Sequence, residues 1–172
     1  MWQDVKVTIR QFERTDIPKK VEWINNPENN RFLHYEIPIC VEKTEKWFDS
    51  HIGEETRYDA VIEVDGTPVG TIGLLCIDRK NSKAEYYIAL GETSFKGKGV
   101  AKEASRLILQ YAFEALDLNK VYLFTEFENI AAQKLFERVG FVKEGLIRQD
   151  IISHGKYVDR YVYGILREEW NE

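Results

Sequence analysis

From Val100 onward the residues Ala104, Leu107, Ile108, Tyr111, Ala112 and Ala115 recur at a spacing that sets them on one face of a helix. This is the clearest amphipathic stripe in the chain, and such a face needs an apolar partner. The segments around it supply one. Val5 to Arg10 alternates with period two, as a half-buried strand does. Tyr58 to Val64 and Val69 to Ile77 are β-rich runs joined at Asp65-Gly66, a strong hairpin signal, and Ala84 to Leu90 follows the turn-like Asn81-Ser82. Val121 to Thr125 reads as a further strand. Phe141 to Ile152 and Tyr157 to Leu166 read as two more, around Ser153-His154-Gly155-Lys156.

Three shorter helices complete the pattern. Thr15-Asp16-Ile17-Pro18 offers an N-cap and an early proline for a helix through Val21 and Ile24, which Asn25-Asn26-Pro27 stops. A stretch without period, through Arg31, His34, Tyr35, Glu36 and Pro38, reads as a loop before a helix carrying Trp47, Phe48 and Ile52. Another helix begins near Asn129 and closes at Gly140, a left-handed C-cap. The fold class expected is α+β (mixed α/β), a mostly antiparallel sheet with helices on its faces. One domain over residues 1–172 is expected, because 172 residues with 44% apolar and 31% charged side chains suit an ordinary globular chain. At that length roughly 70% of the unfolded surface can be buried, so neither disulfide nor structural metal is required.

The formal charge of −5 is spread without long like-charged runs, so the chain lacks the electrostatic footprint of a nucleic-acid or anionic-membrane binder. Cys40 and Cys76 form no CxxC pair or zinc spacing and are expected to be buried thiols in a reducing compartment. Without a signal-like amino terminus or about 18 consecutive apolar residues, the expected location is the cytoplasm.

Between Leu90 and the long helix lies Phe95-Lys96-Gly97-Lys98-Gly99-Val100-Ala101. Glycines let backbone approach a ligand, and the first amides of a helix have no internal acceptor, so the segment suits a diphosphate, with Lys96, Lys98 and Lys102 adding positive charge. Taken alone it reads sooner as a solvated lysine-glycine loop, since it is neither a Walker A motif nor a Rossmann fingerprint.

Lys96-Gly97-Lys98-Gly99-Val100-Ala101 resembles the acetyl-CoA signature [RQ]xxGx[GA] of the GNAT (Gcn5-related) N-acetyltransferases, with lysine at the first position. Asn129 to Phe141 resembles the second motif of that family, NxxAxxLYExxGF, in the right order and at the right separation. Ile9-Arg10, Glu22 to Pro27, Ala84-Glu85 through Glu92, Leu116 to Asn119, Glu144 to Arg148 and Gly155 to Asp159 resemble the branch containing ribosomal-protein, polyamine and amino-sugar acetyltransferases. The resemblance implies a GNAT-like sheet that splays at the cofactor site. It implies acetyl-CoA as co-substrate, no metal, and an amine acceptor; dimers are common among similar proteins, which leaves a homodimer open.

Carried over by position, the resemblance implies that amides from Gly97 to Lys102 hold the pyrophosphate. The strand of Ile88, Ala89 and Leu90 pairs with the pantetheine, an N–H such as that of Leu90 polarising the thioester carbonyl; Asn129 contacts the same arm; Ala132 and Phe136 pack near the sulfur. His34, Tyr35 and Glu36 lie in the loop that shapes the acceptor pocket. Glu126 ends its strand two residues beyond Phe124, hence on the same side, and is the first choice of general base; Glu85 and Glu36 are alternatives. Phe136 stands where the family motif has a tyrosine that protonates the departing thiolate, so the usual acid is missing. A thiol of pKa about 8.5 leaves tolerably without help, and the expected loss is around 10²-fold. Three readings follow: acetylation of a small amine such as a polyamine, amino sugar or antibiotic-like amine; acetylation of a protein N-terminus; or retention of acyl-CoA without transfer. His51 suggests nothing specific, His154 is expected to be exposed at a hairpin tip, and Tyr157, Tyr161 and Tyr163 are expected to be ordinary packing.

Overall fold

The computed structural model describes residues 5–171. Strands β1 (Val7–Gln11), β2 (Tyr58–Val64), β3 (Thr67–Asp78), β4 (Lys83–Leu90), β5 (Lys120–Glu126), β6 (Val142–Ser153) and β7 (Lys156–Leu166) form one sheet in the order β1-β2-β3-β4-β5-β7-β6. Helices α1 (Ile17–Asn25) and α2 (Val41–His51) cover one face; α3 (Val100–Gln110) and α4 (Ile130–Val139) cover the other. The β2–β3 turn places Asp65 and Gly66 at φ 49° and 82°, the left-handed pair that a two-residue hairpin loop demands.

All neighbouring strands are antiparallel except β4 and β5. These two run parallel and pair only at Lys83↔Lys120, Ala84↔Val121 and Glu85↔Tyr122, although β4 continues to Leu90 and β5 to Glu126. Beyond Glu85 and Tyr122 the sheet is therefore open along its middle. The strand ends diverge there, and their facing main-chain groups have no ladder partner in the sheet.

The apolar stripe of α3 buries Val100, Ala104, Ile108 and Leu109 against the sheet, together with Ala112 and Phe113 from a π-helical turn, Tyr111–Ala115, that extends the helix. That turn closes with the Leu116 amide donating to Tyr111 O at 3.0 Å, and its extra residue rotates Ala115 outward, where the regular period had placed it in the core. Three other sequence expectations change. Cys76 is exposed and Cys40 only partly covered, because Cys76 sits at φ 49° in the irregular part of the β3–β4 ladder. Asp16 stands at the N-cap of α1 but gives that helix no side-chain bond; its carboxylate is buried against Arg10, 2.8 Å away, and accepts from the Glu13 amide, which closes the short 3-10 turn Arg14–Asp16 instead. Tyr157 lies 69% exposed beside the β6–β7 turn, so only Tyr163 of the three late tyrosines belongs to the core.

Candidate active site

The stretch between β4 and α3 turns twice through left-handed backbone, at Gly97 (φ 74°) and Gly99 (φ 79°). A Cβ at either would meet no atom within 4 Å, so glycine is required there by the backbone conformation, and the space outside it is open. Among the described residues no acceptor lies on the amides of Gly97, Lys98, Gly99, Val100, Ala101 or Lys102; the next, Glu103, returns to Gly99 O at 3.1 Å. Six consecutive unpaired amides at a helix N-terminus make an anion cradle, reinforced by the positive end of the α3 dipole. Lys98 and Lys102 are exposed beside it. Lys96 does different work: its Nζ donates to Asn29 Oδ1 at 2.9 Å and ties the cradle to the loop after α1.

The same loop fixes the end of β4. Asn29 Nδ2 donates to Gly91 O at 2.9 Å and to Trp23 O at 3.1 Å, and the Trp23 indole donates to Glu92 at 2.8 Å. Gly91 lies flat on the Trp23 ring, which a Cβ would enter. The Gly91 amide donates to Val69 O on β3. By strand alternation the Ala89 amide points the same way, and the amides of Ile88 and Leu90 point into the gap toward β5.

On the α3–α4 face of the gap, Asn129 caps α4, its Oδ1 accepting from the Ala132 amide at 3.2 Å. Phe136, 6% exposed, packs among the rings of Tyr86, Phe141 and Tyr163. Both neighbouring phenols are committed: Tyr86 shares a 2.7 Å bond with Ser105 Oγ, and Tyr163 donates to Glu137 at 3.0 Å. Burial raises both phenols above their ordinary range, and Glu137 pushes Tyr163 further. Neither takes the place of the missing tyrosine.

The opposite face holds the remaining sequence candidates. Glu126, 7% exposed, has Oε2 3.0 Å from His34 Nε2, joining residues 92 apart in the chain. Gln133 fixes this corner from α4, donating to Glu126 O at 3.3 Å and Phe127 O at 2.9 Å. Glu126 also lines a cavity of about 340 Å³ with Phe127, Glu128, Gln149, Tyr157, Val158 and Asp159. Gln149 reaches that wall because β6 bulges between Ile147 and Ile151, with Gln149 at φ 49° and its amide on Asp159 Oδ1 at 2.7 Å. Glu85 is half-buried next to Tyr122, and burial raises its carboxyl while Arg160 opposes the rise. Tyr35 is 46% exposed and Glu36 is exposed.

A polar cluster on the α1–α2 face was not legible in the sequence. Tyr87 donates to Asp59, which Arg57 grips in a bidentate pair, at 2.7 Å from Nε and 2.9 Å from Nη2. Gly73 lies between Asp59 and Tyr87 in the ladder, and its missing side chain admits the Tyr87 ring, since a Cβ there would stand 2.6 Å from Tyr87 Cε1. Burial tends to raise Asp59, but the bonds from Arg57 and Tyr87 outweigh it and hold the carboxyl low. Lys20 lies 3.6 Å above the Trp47 ring, and burial pushes its amine down to about 8, Asp59 opposing and Arg57 assisting. Only a tyrosine on the pocket-facing parity of β4 opposite a glycine on β3 hinted at this cluster.

Among the described residues no helix is long and apolar enough to cross a membrane, and no group of three His, Cys, Asp or Glu is placed to hold a metal ion. Residues 6–142 match the family described as "Acetyltransferase (GNAT) domain". The spermidine N(1)-acetyltransferase of Escherichia coli K12 is 29% identical over 151 residues, spanning 88% of this chain and 81% of that one. The putative ribosomal N-acetyltransferase YdaF of Bacillus subtilis is 37% identical over 114 residues, covering 65% of this chain and 61% of its own. The crystal structure of the Vibrio cholerae spermidine N-acetyltransferase with CoA and spermine superposes with a TM-score of 0.89 at 28% identity, over 95% of this chain and 96% of that one. With the cradle, the parted strands and this match, the chain belongs to the GNAT acetyltransferase family.

Proposed function

We propose that the chain moves acetyl from acetyl-CoA to a primary amine of a cationic small molecule of the polyamine class. The observation that carries this reading is the position of Glu126. It ends the strand that parts from Leu90, and it is also a wall of the cavity whose other charged lining groups are Glu128 and Asp159. Glu128 is paired with Arg31, and the cavity, with Glu126 and Asp159 besides, keeps a net negative lining that suits a cationic acceptor. The spermidine acetyltransferases among the relatives support the same class.

In this reading the amides of Gly97 to Lys102 hold the diphosphate, and the inward amides of Ile88 and Leu90 hold the pantetheine arm. The Leu90 N–H lies where a thioester oxygen gains charge, and such a fixed donor is worth about 3 kcal/mol in the transition state. An alkyl ammonium with pKa about 10 must lose a proton before it attacks. Glu126 and His34 together form the site that removes it. With Phe136 at the family's tyrosine position, sulfur departs as thiolate without a side-chain acid.

Release of free thiol from acetyl-CoA, measured against spermidine, spermine, aminoglycosides, amino-sugar nucleotides and N-terminal peptides, tests the proposal. Polyamines are expected to give the highest kcat/KM. Turnover confined to peptides favours the ribosomal-protein reading that the Bacillus relative suggests. Acetyl-CoA binding with no turnover for any amine favours the non-catalytic reading that Phe136 suggests.

A further inference from the structure

The contact between His34 and Glu126 contains a division of labour that the family assignment does not specify. Glu126 is almost fully buried, its Oε2 is taken up by His34, and its backbone is locked on one side by the bond from Gln133 and on the other by the β5–β7 ladder, where it faces Arg160. The His34 side chain is 42% exposed on the loop that borders the acceptor side. We infer that His34 is the group that takes the proton from the acceptor amine, and that Glu126 is its positioning residue. This rests on the acetyltransferase reading above.

The chemistry follows from the ring's two nitrogens. A carboxylate at 3.0 Å from Nε2 selects the tautomer with hydrogen on Nε2, which leaves the Nδ1 lone pair as acceptor. No described residue bonds Nδ1. Charged and titratable groups lie on each element at this corner: Glu126 on β5, Glu128 just after it, Arg31, Tyr35 and Glu36 on the His34 loop, and Asp159 and Arg160 on β7, Arg160 being opposite Glu126 in the ladder. Arg31 is paired with Glu128 at 3.6 Å and Arg160 with Asp150 at 2.6 Å, so these cations are already balanced, and Glu126 is the anion in contact with the ring. Once the ring has taken the amine's proton, the carboxylate of opposite charge lies 3.0 Å from it.

The balance is complete without a further reactant. The substrate ammonium gives one proton to Nδ1, the freed lone pair forms the C–N bond, and the thioester oxygen becomes an oxyanion. Collapse breaks the C–S bond, the nitrogen's next proton passes to the thiolate, and the imidazolium returns its proton to water.

The test measures kcat across pH with the best polyamine for the wild type, His34→Gln, His34→Ala and Glu126→Gln, with acetyl-CoA affinity followed by calorimetry as the check on folding. His34→Gln is expected to lower kcat about 10²-fold and to erase the acid limb of the profile, at unchanged acetyl-CoA affinity. Added imidazole is expected to restore part of the His34→Ala activity, and Glu126→Gln to slow the enzyme while keeping an acid limb. An active wild type with His34→Gln near wild-type rate, its limb intact, and Glu126→Gln without one, overturns the inference and makes Glu126 the direct base. A wild type that releases no thiol with any amine overturns the acetyltransferase reading itself, a different result from an active enzyme indifferent to His34.

Discussion

The two sides of the split between β4 and β5 are built from different materials. On the α3–α4 side the candidate groups are main chain: six unpaired amides, two glycines at positive φ, and strand amides aimed into a gap. On the α1–α2 side they are side chains from far-apart segments: His34 from a loop, Glu126 from β5, Asp159 from β7, Asp59 from β2 and Tyr87 from β4. A backbone site tolerates many sequences provided the turn survives, whereas a side-chain site changes character with one substitution. This contrast explains how a common acyl donor and varied acceptors coexist on one scaffold.

The strongest way to break the contrast is to fill the backbone side. Gly99→Val forces a β-branched residue to φ 79° at the cradle, although nothing within 4 Å obstructs its Cβ, so the fold is expected to persist. Calorimetry is expected to show acetyl-CoA affinity about 10²-fold weaker, the equivalent of about one charge-assisted bond lost. Unchanged affinity in a folded variant removes the cradle from the account. Next in size, Asp159→Asn takes one charge from the acceptor cavity; a rise of about tenfold in polyamine KM is expected, with the KM for acetyl-CoA unmoved. If both constants rise together, the two sides are not separate.

Phe136→Tyr restores a hydroxyl on the donor side. Because three rings enclose Phe136, the gain in kcat is expected to stay below the ~10²-fold that a well-placed acid supplies. A fall in kcat would show that the ring serves packing alone. The smallest effect concerns Lys20 beside the Arg57–Asp59 pair. Its amine drops from the ordinary 10.5 to about 8 in the folded chain, so between those pH values the unfolded chain holds a proton that the folded chain has shed. Stability therefore climbs as pH rises through that window, and the cost of burying the charge is fully present below it. Thermal melts of Lys20→Met across the window are expected to lack that climb; parallel curves for the two proteins refute it.

The same contrast governs what the sequence could tell. The glycines at 97 and 99, the stripe of α3 as far as Ala112, the Asn129 cap and the Gly140 terminus are local signals, and each is where the pattern puts it. Glu126 was legible because strand parity alone sets its side. Its partner His34 was only a loop residue, since pairing across 92 positions leaves no local trace. Arg57, Asp59 and Tyr87 were missed for the same reason, and so was the bulge that carries Gln149 to the cavity. The π turn after Gln110 is invisible to a regular period, which is why Ala115 was misplaced.

A structure of the chain with bound acetyl-CoA tests the account at its centre. The diphosphate oxygens are expected within hydrogen-bonding distance of the amides between Gly97 and Lys102, with the thioester carbonyl on the Leu90 N–H inside the gap. A diphosphate seated on lysine side chains elsewhere, with those amides bare and the strands closed, would contradict it.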